Sequence, residues 1–358
     1  MDAFVTMPLA ARHLALVHAA MDDAVAEAWH YRKSFHRPPP DKADPSTVSV
    51  LPASPTPTFP SDFAAAAAAA AEVLGYIFPQ RAGEFSSRAE EAMRARMVSG
   101  AESPGDVAAG RAIGQGISAL AIARGKGDRS DARWSGTVQA RAGGWQGANP
   151  IAPMAASWQT WVLDRPDELR PPPPPAFDSE QVRRELAELK AFKRTPKSNH
   201  RAVYWEVFGG ARLHALWNDL ARTKLLEYGD RFDPPTAARA LATLNIAVLD
   251  AAIACWDAKY AYWSIRPSQL DPDVKPLFPP PNHPSYPAAH GCLSTAAATV
   301  LARLFPSDAE SLLAAGREAA EARLWGGVHY RADIEAGQEL GRKVGQMALA
   351  RAFMEGER

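Results

Sequence analysis

Three short segments of the chain concentrate side chains that could carry chemistry on an anion. The first is Trp256-Asp257-Ala258-Lys259, continuing to Arg266-Pro267. On a helix, positions seven apart share a face two turns on, so Lys259 and Arg266 are expected to project together. Like charges held in that way repel unless an anion lies between them. The second is His283-Pro284-Ser285-Tyr286-Pro287-Ala288-Ala289-His290-Gly291, followed by a helix expected to begin near Cys292. A loop that feeds a helix N-terminus presents unpaired backbone N–H groups and the positive end of the dipole. His290 at that entrance is placed to give or take a proton on an anion bound there. The third is Arg323, then Gly326-Gly327-Val328-His329, then Asp333. A carboxylate four residues after an imidazole can hold it in one tautomer. The other ring nitrogen is then free to attack phosphorus or to coordinate a metal, and the paired glycines permit close backbone approach. Each segment alone also has a plainer reading. Lys259 and Arg266 fit a solvated basic face backed by Tyr260, Tyr262 and Trp263, and His290 fits a capping or packing residue after prolines. Gly337, Gly341 and Gly345 fit a close-packed helix seam better than a site.

Together the segments are far more specific. They match a tripartite pattern of Lys, six residues, Arg-Pro; then Pro-Ser-Gly-His; then Ser-Arg, five residues, His, three residues, Asp. In this the chain resembles the superfamily that joins vanadium-dependent haloperoxidases and type 2 phosphatidic acid phosphatases. The motifs span residues 256–337. The stretch from Gly143 to Pro175 and the flanks of Trp217-Asn218 are similar to the bacterial haloperoxidase branch. The resemblance implies that Lys259, Arg266 and Arg323 bind the equatorial oxygens of vanadate, or of phosphate or sulfate in its place, with Ala289 in the same cradle. It makes His329 the vanadium ligand, or the phosphorylated nucleophile of a phosphatase. His290 becomes the general acid/base, Asp333 the group that orients His329, and Trp256 an aromatic wall of the pocket. His283 falls where algal bromoperoxidases have His and the fungal chloroperoxidase has Phe.

The chain departs from the pattern at Ala288 and Ala289, which replace Ser and Gly, and at Ala322, which replaces the Ser before Arg323. A lost hydroxyl removes one hydrogen bond to the oxyanion, worth about 1–3 kcal/mol. The charged and ligand groups survive, which suggests an altered site rather than a dead one. The implied activity is oxidation of halide, bromide or iodide ahead of chloride, by hydrogen peroxide to hypohalous acid. The resemblance also implies a small organic molecule as a further substrate. Two alternatives stay open: an acid phosphatase working through a phosphohistidine, and a non-catalytic helical binding protein.

The elements that must position these residues are helical. Ala, Leu, Glu and Arg dominate, and apolar residues recur three and four apart, as at Leu241, Leu244, Ile246, Val248 and Leu249. The 31 prolines gather between such stretches, at 38–40, 52–60, 171–175 and 276–287. No alternating β-branched run argues for a sheet.

An internal repeat at an offset of 227 residues organises the layout. Arg12, Asp23 and Trp29 answer Arg239, Asp250 and Trp256. Pro57-Thr58-Phe59-Pro60 answers Pro284-Ser285-Tyr286-Pro287, and Phe78-Pro79 answers Phe305-Pro306. Arg96, Gly100, Asp106, Gly110 and Gly114 answer Arg323, Gly327, Asp333, Gly337 and Gly341. One offset held across Arg, Asp, Trp, Pro and Gly is not what chance agreement in Ala-rich helices gives. The first copy has Phe63 for His290 and Glu102 for His329, so it is expected to hold no site, with Phe63 filling the would-be pocket with apolar bulk. The expectation is an all-α protein of two packed helical bundles from a duplication. Residues 1–123 form the first bundle, 124–236 a Pro-rich connection with a helix from Ser179 to about Arg194, and 237–358 the bundle with the site, all in one compact unit.

Lys plus Arg and Asp plus Glu number 40 each, so no global field favours nucleic acid or an anionic membrane. The alanine tract at 64–71 is the longest apolar run and falls well short of the roughly 20 residues a spanning helix needs. Cys255 and Cys292 are too few for a disulfide framework and have no metal-ligand spacing, which suits buried small hydrophobes. The chain is therefore expected to be soluble, cytoplasmic as it stands, or periplasmic or secreted had a signal preceded residue 1. A homo-oligomer remains open.

Overall fold

Helices joined by proline-rich loops make up most of the described residues. The computed structural model describes residues 5–51, 55–206 and 211–353. Pro52, which opens one of the proline clusters, lies outside them. Among the described residues there is no β-strand, only an isolated antiparallel bridge between Gly144 and Ser264. The main helices are α1 (Met7–Phe35), α2 (Asp62–Ile77), α3 (Ala82–Val98), α4 (Pro104–Gly127), α5 (Glu180–Ala191) and α6 (Pro196–Glu206). They continue with α7 (Ala211–Glu227), α8 (Pro234–Tyr262), α9 (Ala289–Leu304), α10 (Ala309–Trp325) and α11 (Arg331–Ala352).

The chain divides into two compact units. One, the site unit, comprises Met1–Arg12, Asp128–Lys224 and Thr243–Arg358. The other comprises His13–Gly127 and Leu225–Ala242. Helices α1 and α8 therefore each begin in one unit and continue in the other. Helix α8 is also long and apolar enough to cross a membrane, which the sequence reading did not single out, but 78% of its apolar stretch is buried within the protein.

The duplication is written into the helix bounds. Helices α1 and α8, α2 and α9, and α3 and α10 have equal lengths, and each pair is displaced by the 227 residues of the sequence repeat. The single-turn helices Pro79–Arg81 and Pro306–Asp308 keep the same displacement, as do the starts of α4 and α11. Phe78 (φ −127°, ψ 72°) and Phe305 (φ −123°, ψ 72°) end α2 and α9 alike. The Phe59–Pro60 and Tyr286–Pro287 bonds are both cis.

Within each unit the glycine seam does the same work. A Cβ on Gly341 would stand 2.1 Å from the Cys292 carbonyl oxygen, and one on Gly110 2.1 Å from that of Ser61. Only a residue without a side chain lets α11 approach α9, or α4 approach α2, so closely. That approach puts the start of one helix on the start of the other. Ala288 N–H donates to the Asp333 carbonyl at 2.8 Å, and Ser61 N–H to that of Asp106 at 3.0 Å.

In the site unit, α5 braces this junction. Ser179 caps it by accepting from Val182 N–H at 3.3 Å, and Val182, Leu186 and Leu189 form its buried face. They pack with Val274, Ala288, Ala320, Leu324, Tyr330 and Ile334 in one core cluster. Burying a side chain such as Leu186 contributes about 1.5–3 kcal/mol.

Candidate active site

The loop from Pro281 to Pro287 is the platform of the site, and two buried cations hold it. Lys259 Nζ donates to the carbonyls of Pro284, Ser285 and Pro287 at 2.9, 2.8 and 2.5 Å. All three ammonium donors are thus committed to backbone. Arg266 Nε donates to the His283 carbonyl at 3.0 Å, Nη2 to that of Pro281 at 3.3 Å, and Nη1 to that of Val328 at 2.8 Å. The two cations do converge, but not through helix periodicity. Helix α8 stops at Tyr262, Trp263 takes a positive φ of 47°, and Arg266 lies beyond as the residue before the short helix Pro267–Leu270. Convergence comes from the loop both side chains grip. Burial pulls Lys259 down to about 8 and Arg266 to about 9, so both remain cations at neutral pH.

His329 and Asp333 are paired as the spacing suggested, again without lying on one helix. Helix α11 begins at Arg331, and Asp333 in its first turn accepts from Tyr330 N–H at 3.2 Å. The same carboxylate oxygen, Oδ2, accepts from His329 Nδ1 at 2.9 Å and from Ser285 Oγ at 2.6 Å. Nδ1 therefore carries the proton, and Nε2, 3.0 Å from Arg266 Nη1, presents its lone pair. Burial, then the nearby cations Arg266 and Lys259, hold His329 well below the usual imidazole range. A neutral ring with its lone pair on Nε2 suits a metal ligand or a nucleophile, and in this structure that lone pair accepts from Arg266 Nη1.

His290 lies on the second residue of α9, which begins at Ala289 rather than near Cys292. Its Nε2 is 2.9 Å from the Trp205 carbonyl, a contact that needs a proton on Nε2 and leaves Nδ1 as the accepting atom. His283 Nδ1 lies 3.1 Å from both Arg266 Nη2 and the Pro284 carbonyl. These demand opposite protonation of Nδ1, and the guanidinium, which can only donate, makes it an acceptor. The ring packs on Trp256 with centroids 5.3 Å apart, and Trp256 Nε1 donates to the Ile151 carbonyl at 3.1 Å.

A cavity of about 130 Å³ joins these groups. Trp256, His283, Ala289, His290, Arg323 and His329 all line it, whereas Lys259, Arg266 and Asp333 stand behind. Arg323 is fully buried. Its Nη1 is paired with Glu206 Oε2 at 2.5 Å, Phe278 packs on its guanidinium, and its Nε has no partner. Sequence reasoning missed Glu206 and the Trp205 carbonyl, which lie far from the motifs in a stretch with no spacing of its own, and it took in Ile151 only as part of the stretch from Gly143 to Pro175. Ser285 was in view only as part of the loop. Cys255 and Cys292 are buried free thiols.

Residues 309–355 match the family described as the VCPO second helical-bundle domain. Among solved structures, the first bacterial vanadium-dependent iodoperoxidase is similar with a TM-score of 0.73 and 24% identity, covering 97% of this chain and 91% of that one. The apo and holo types of a bacterial vanadium-dependent chloroperoxidase are similar at TM-scores of 0.72, with 15% and 16% identity. They cover 98% of this chain, and 95% and 94% of theirs. The fold is that of the vanadium-dependent haloperoxidases. No curated protein matches the chain.

In the other unit, the first copy of this haloperoxidase fold keeps the framework and changes the charges. Arg32, in the place of Lys259, donates to the Pro60 carbonyl at 2.9 Å and reaches that of Thr58 at 3.5 Å. Thr58 Oγ1 donates to Asp106 Oδ2 at 3.1 Å, as Ser285 does to Asp333. Glu102, where His329 would be, accepts from Ser61 Oγ at 2.6 Å and pairs with Arg96 at 3.2 Å. Asp62 pairs with Arg32 at 2.8 Å and accepts from Trp29 Nε1 at 2.7 Å. Phe63 does not fill a pocket with apolar bulk. It is 42% exposed, with the Arg96 guanidinium 5.3 Å above its ring. Carboxylates of the chain pair with the cations of the first copy, Asp62 with Arg32 and Glu102 with Arg96, and Arg96 Nε, like Arg323 Nε, is buried without a partner.

Proposed function

We propose that the chain is a vanadate-dependent haloperoxidase that oxidises bromide or iodide with hydrogen peroxide to hypohalous acid. The single observation that carries this is Arg323 Nε, a buried guanidinium donor with no partner, in a side chain that lines the same cavity as His329 and His290. A buried charged donor left unmade is costly unless an anion completes it. Among the described residues no group of three or more His, Cys, Asp or Glu is arranged for a bare metal ion. One neutral imidazole beside cations suits an oxyanion instead.

Arg323 would grip an oxygen of vanadate, His329 Nε2 would ligate its vanadium in exchange for its contact with Arg266 Nη1, and Ala289 N–H at the start of α9 would add a backbone donor, while Arg266, whose donors go to the carbonyls of Pro281, His283 and Val328 and to the two imidazoles, holds the site from behind. Vanadate, when bound, supplies Lewis-acid activation of hydrogen peroxide toward a nucleophilic halide without itself being reduced. Asp333 keeps the His329 proton on Nδ1, so that Nε2 keeps its lone pair, which a bound vanadate would take over from Arg266 Nη1. Lys259 fixes the platform and adds positive potential from behind it. His290 Nδ1, the accepting atom of a ring that lines the cavity, would take up and return the proton of hydrogen peroxide held there. One halide, one peroxide and one proton thereby give hypohalous acid and water. His283, packed on Trp256 at the cavity wall, tunes the halide's approach.

A phosphatase is the second reading, because the same His329 lone pair suits a phosphohistidine. Purified protein loaded with vanadate should oxidise bromide or iodide between about pH 5 and 8, with chloride poor. His329→Ala should abolish turnover and vanadium content together, whereas His283→Ala should alter halide oxidation with vanadium retained. Hydrolysis of a phosphate ester with no oxidation of either halide would favour the phosphatase instead.

A further inference from the structure

A second cavity in the site unit, of about 280 Å³, has a polar end and an apolar wall. Pro173 to Pro175, Phe177 and Ile265 form the wall, and Tyr330, Glu185 and Asp333 the polar end. The volume approaches the lower end of ordinary small-molecule pockets, about 300 Å³. Asp333 is common to this cavity and to the hydrogen bond that fixes His329, so an occupant here would touch the support of the catalytic imidazole.

Two groups at the polar end have hydrogen-bonding capacity to spare. Tyr330 is 5% exposed, yet its hydroxyl has no hydrogen-bond partner. Glu185 is 7% exposed and is met only by neutral donors, Ala332 N–H at 3.2 Å on one oxygen and Gln181 Nε2 at 3.0 Å on the other. A carboxylate oxygen has lone pairs for more than one donor. The Tyr330 hydroxyl wants an acceptor, and Glu185 has capacity for a donor. We propose that this cavity is a binding site for a monocyclic phenol, its ring against the proline and phenylalanine wall and its hydroxyl between Tyr330 and Glu185.

The alternatives fit less well. A carboxylate guest would face Glu185 and Asp333 with like charge, and Arg141, the cation in the lining, already donates to the Tyr262 carbonyl. An ammonium guest has no lone pair to accept from Tyr330. A saturated alcohol lacks the flat, polarised face that packs on Phe177. The proposal is independent of the reaction assigned above, because its test reads binding alone.

Phenol, benzoate and cyclohexanol are titrated into the full chain and followed by saturation-transfer NMR and calorimetry. Phenol should bind at one site at least about tenfold more tightly than either of the others. Tyr330→Phe removes only a hydroxyl that nothing in the fold uses, so the variant should fold and bind phenol about tenfold more weakly. Ala176→Trp, an exposed rim position, should block the cavity and remove binding. Phenol binding no tighter than cyclohexanol overturns the proposal. So does unchanged phenol affinity in either variant, which would place the phenol elsewhere.

Discussion

The Arg323 guanidinium divides its labour. Nη1 is held by Glu206, and Nε is left buried without a partner. Ion pairing on one edge fixes the plane and so aims the other edge, which is why arginine rather than lysine suits the position. Arg323→Ala should therefore weaken vanadate binding by at least about tenfold, since a charge-assisted contact is worth about 1.5–3 kcal/mol. Titration of the apoprotein with vanadate checks this, and an unchanged affinity would remove Arg323 from the site. Residue types and spacing singled out His329, Asp333, His290 and Arg323, and the structure sets three of them around one cavity with Asp333 behind His329. The same reasoning pointed Lys259 at the anion, whereas its three donors go to backbone carbonyls. Spacing reports which residues approach one another, not which atom takes which partner. Glu206 was invisible because an ion-pair partner can come from any stretch that reaches it.

Among the elements, glycine spacing was the most informative pattern. Gly337 and Gly341 read as a seam, and a Cβ added at either, or at their counterparts Gly110 and Gly114, would meet a backbone oxygen at or before the start of the neighbouring helix in its own unit. Gly341→Ala and Gly110→Ala should each destabilise by about 1–3 kcal/mol or more, through overpacking against backbone that cannot step aside. Gly83 and Gly116 have nothing within 4 Å of the added methyl. Replacing them by Ala should be neutral or stabilising by up to about 1 kcal/mol. Urea midpoints of the four variants decide it, and equal effects would dissolve the seam. Helix ends were less legible. Lys259 and Arg266 looked like one helical face, but the left-handed Trp263 ends α8 between them. Nothing in an aromatic side chain announces that backbone conformation.

Across the whole molecule, the repeat was legible because a duplication leaves its period in every element at once. What the sequence could not show is how the first copy manages its inherited cations, since Glu102 and Asp62 look like ordinary surface acids until Arg96 and Arg32 are found beside them. The stability of the whole fold should also carry the signature of its buried imidazoles. His214 is 3% exposed, and its Nε2–H donates to the Met7 carbonyl at 3.0 Å. Burial lowers its pKa to about 4, whereas an unfolded histidine titrates near 6.5. As pH falls below 6.5 the unfolded chain takes up a proton that the folded chain refuses. This contribution is therefore complete at pH 7.5 and is lost progressively toward pH 4, by about 2 kcal/mol at pH 5. Asp22, raised by burial to about 6, works in the opposite sense, and His283, His290 and His329 in the same one. The comparison must therefore be between variants. In His214→Gln the amide can still donate to Met7 but does not titrate. The stability lost between pH 7.5 and pH 5, from urea unfolding, should be smaller in that variant than in the parent by about 2 kcal/mol. Equal losses in the two proteins would mean that His214 opens to solvent and titrates in the folded state.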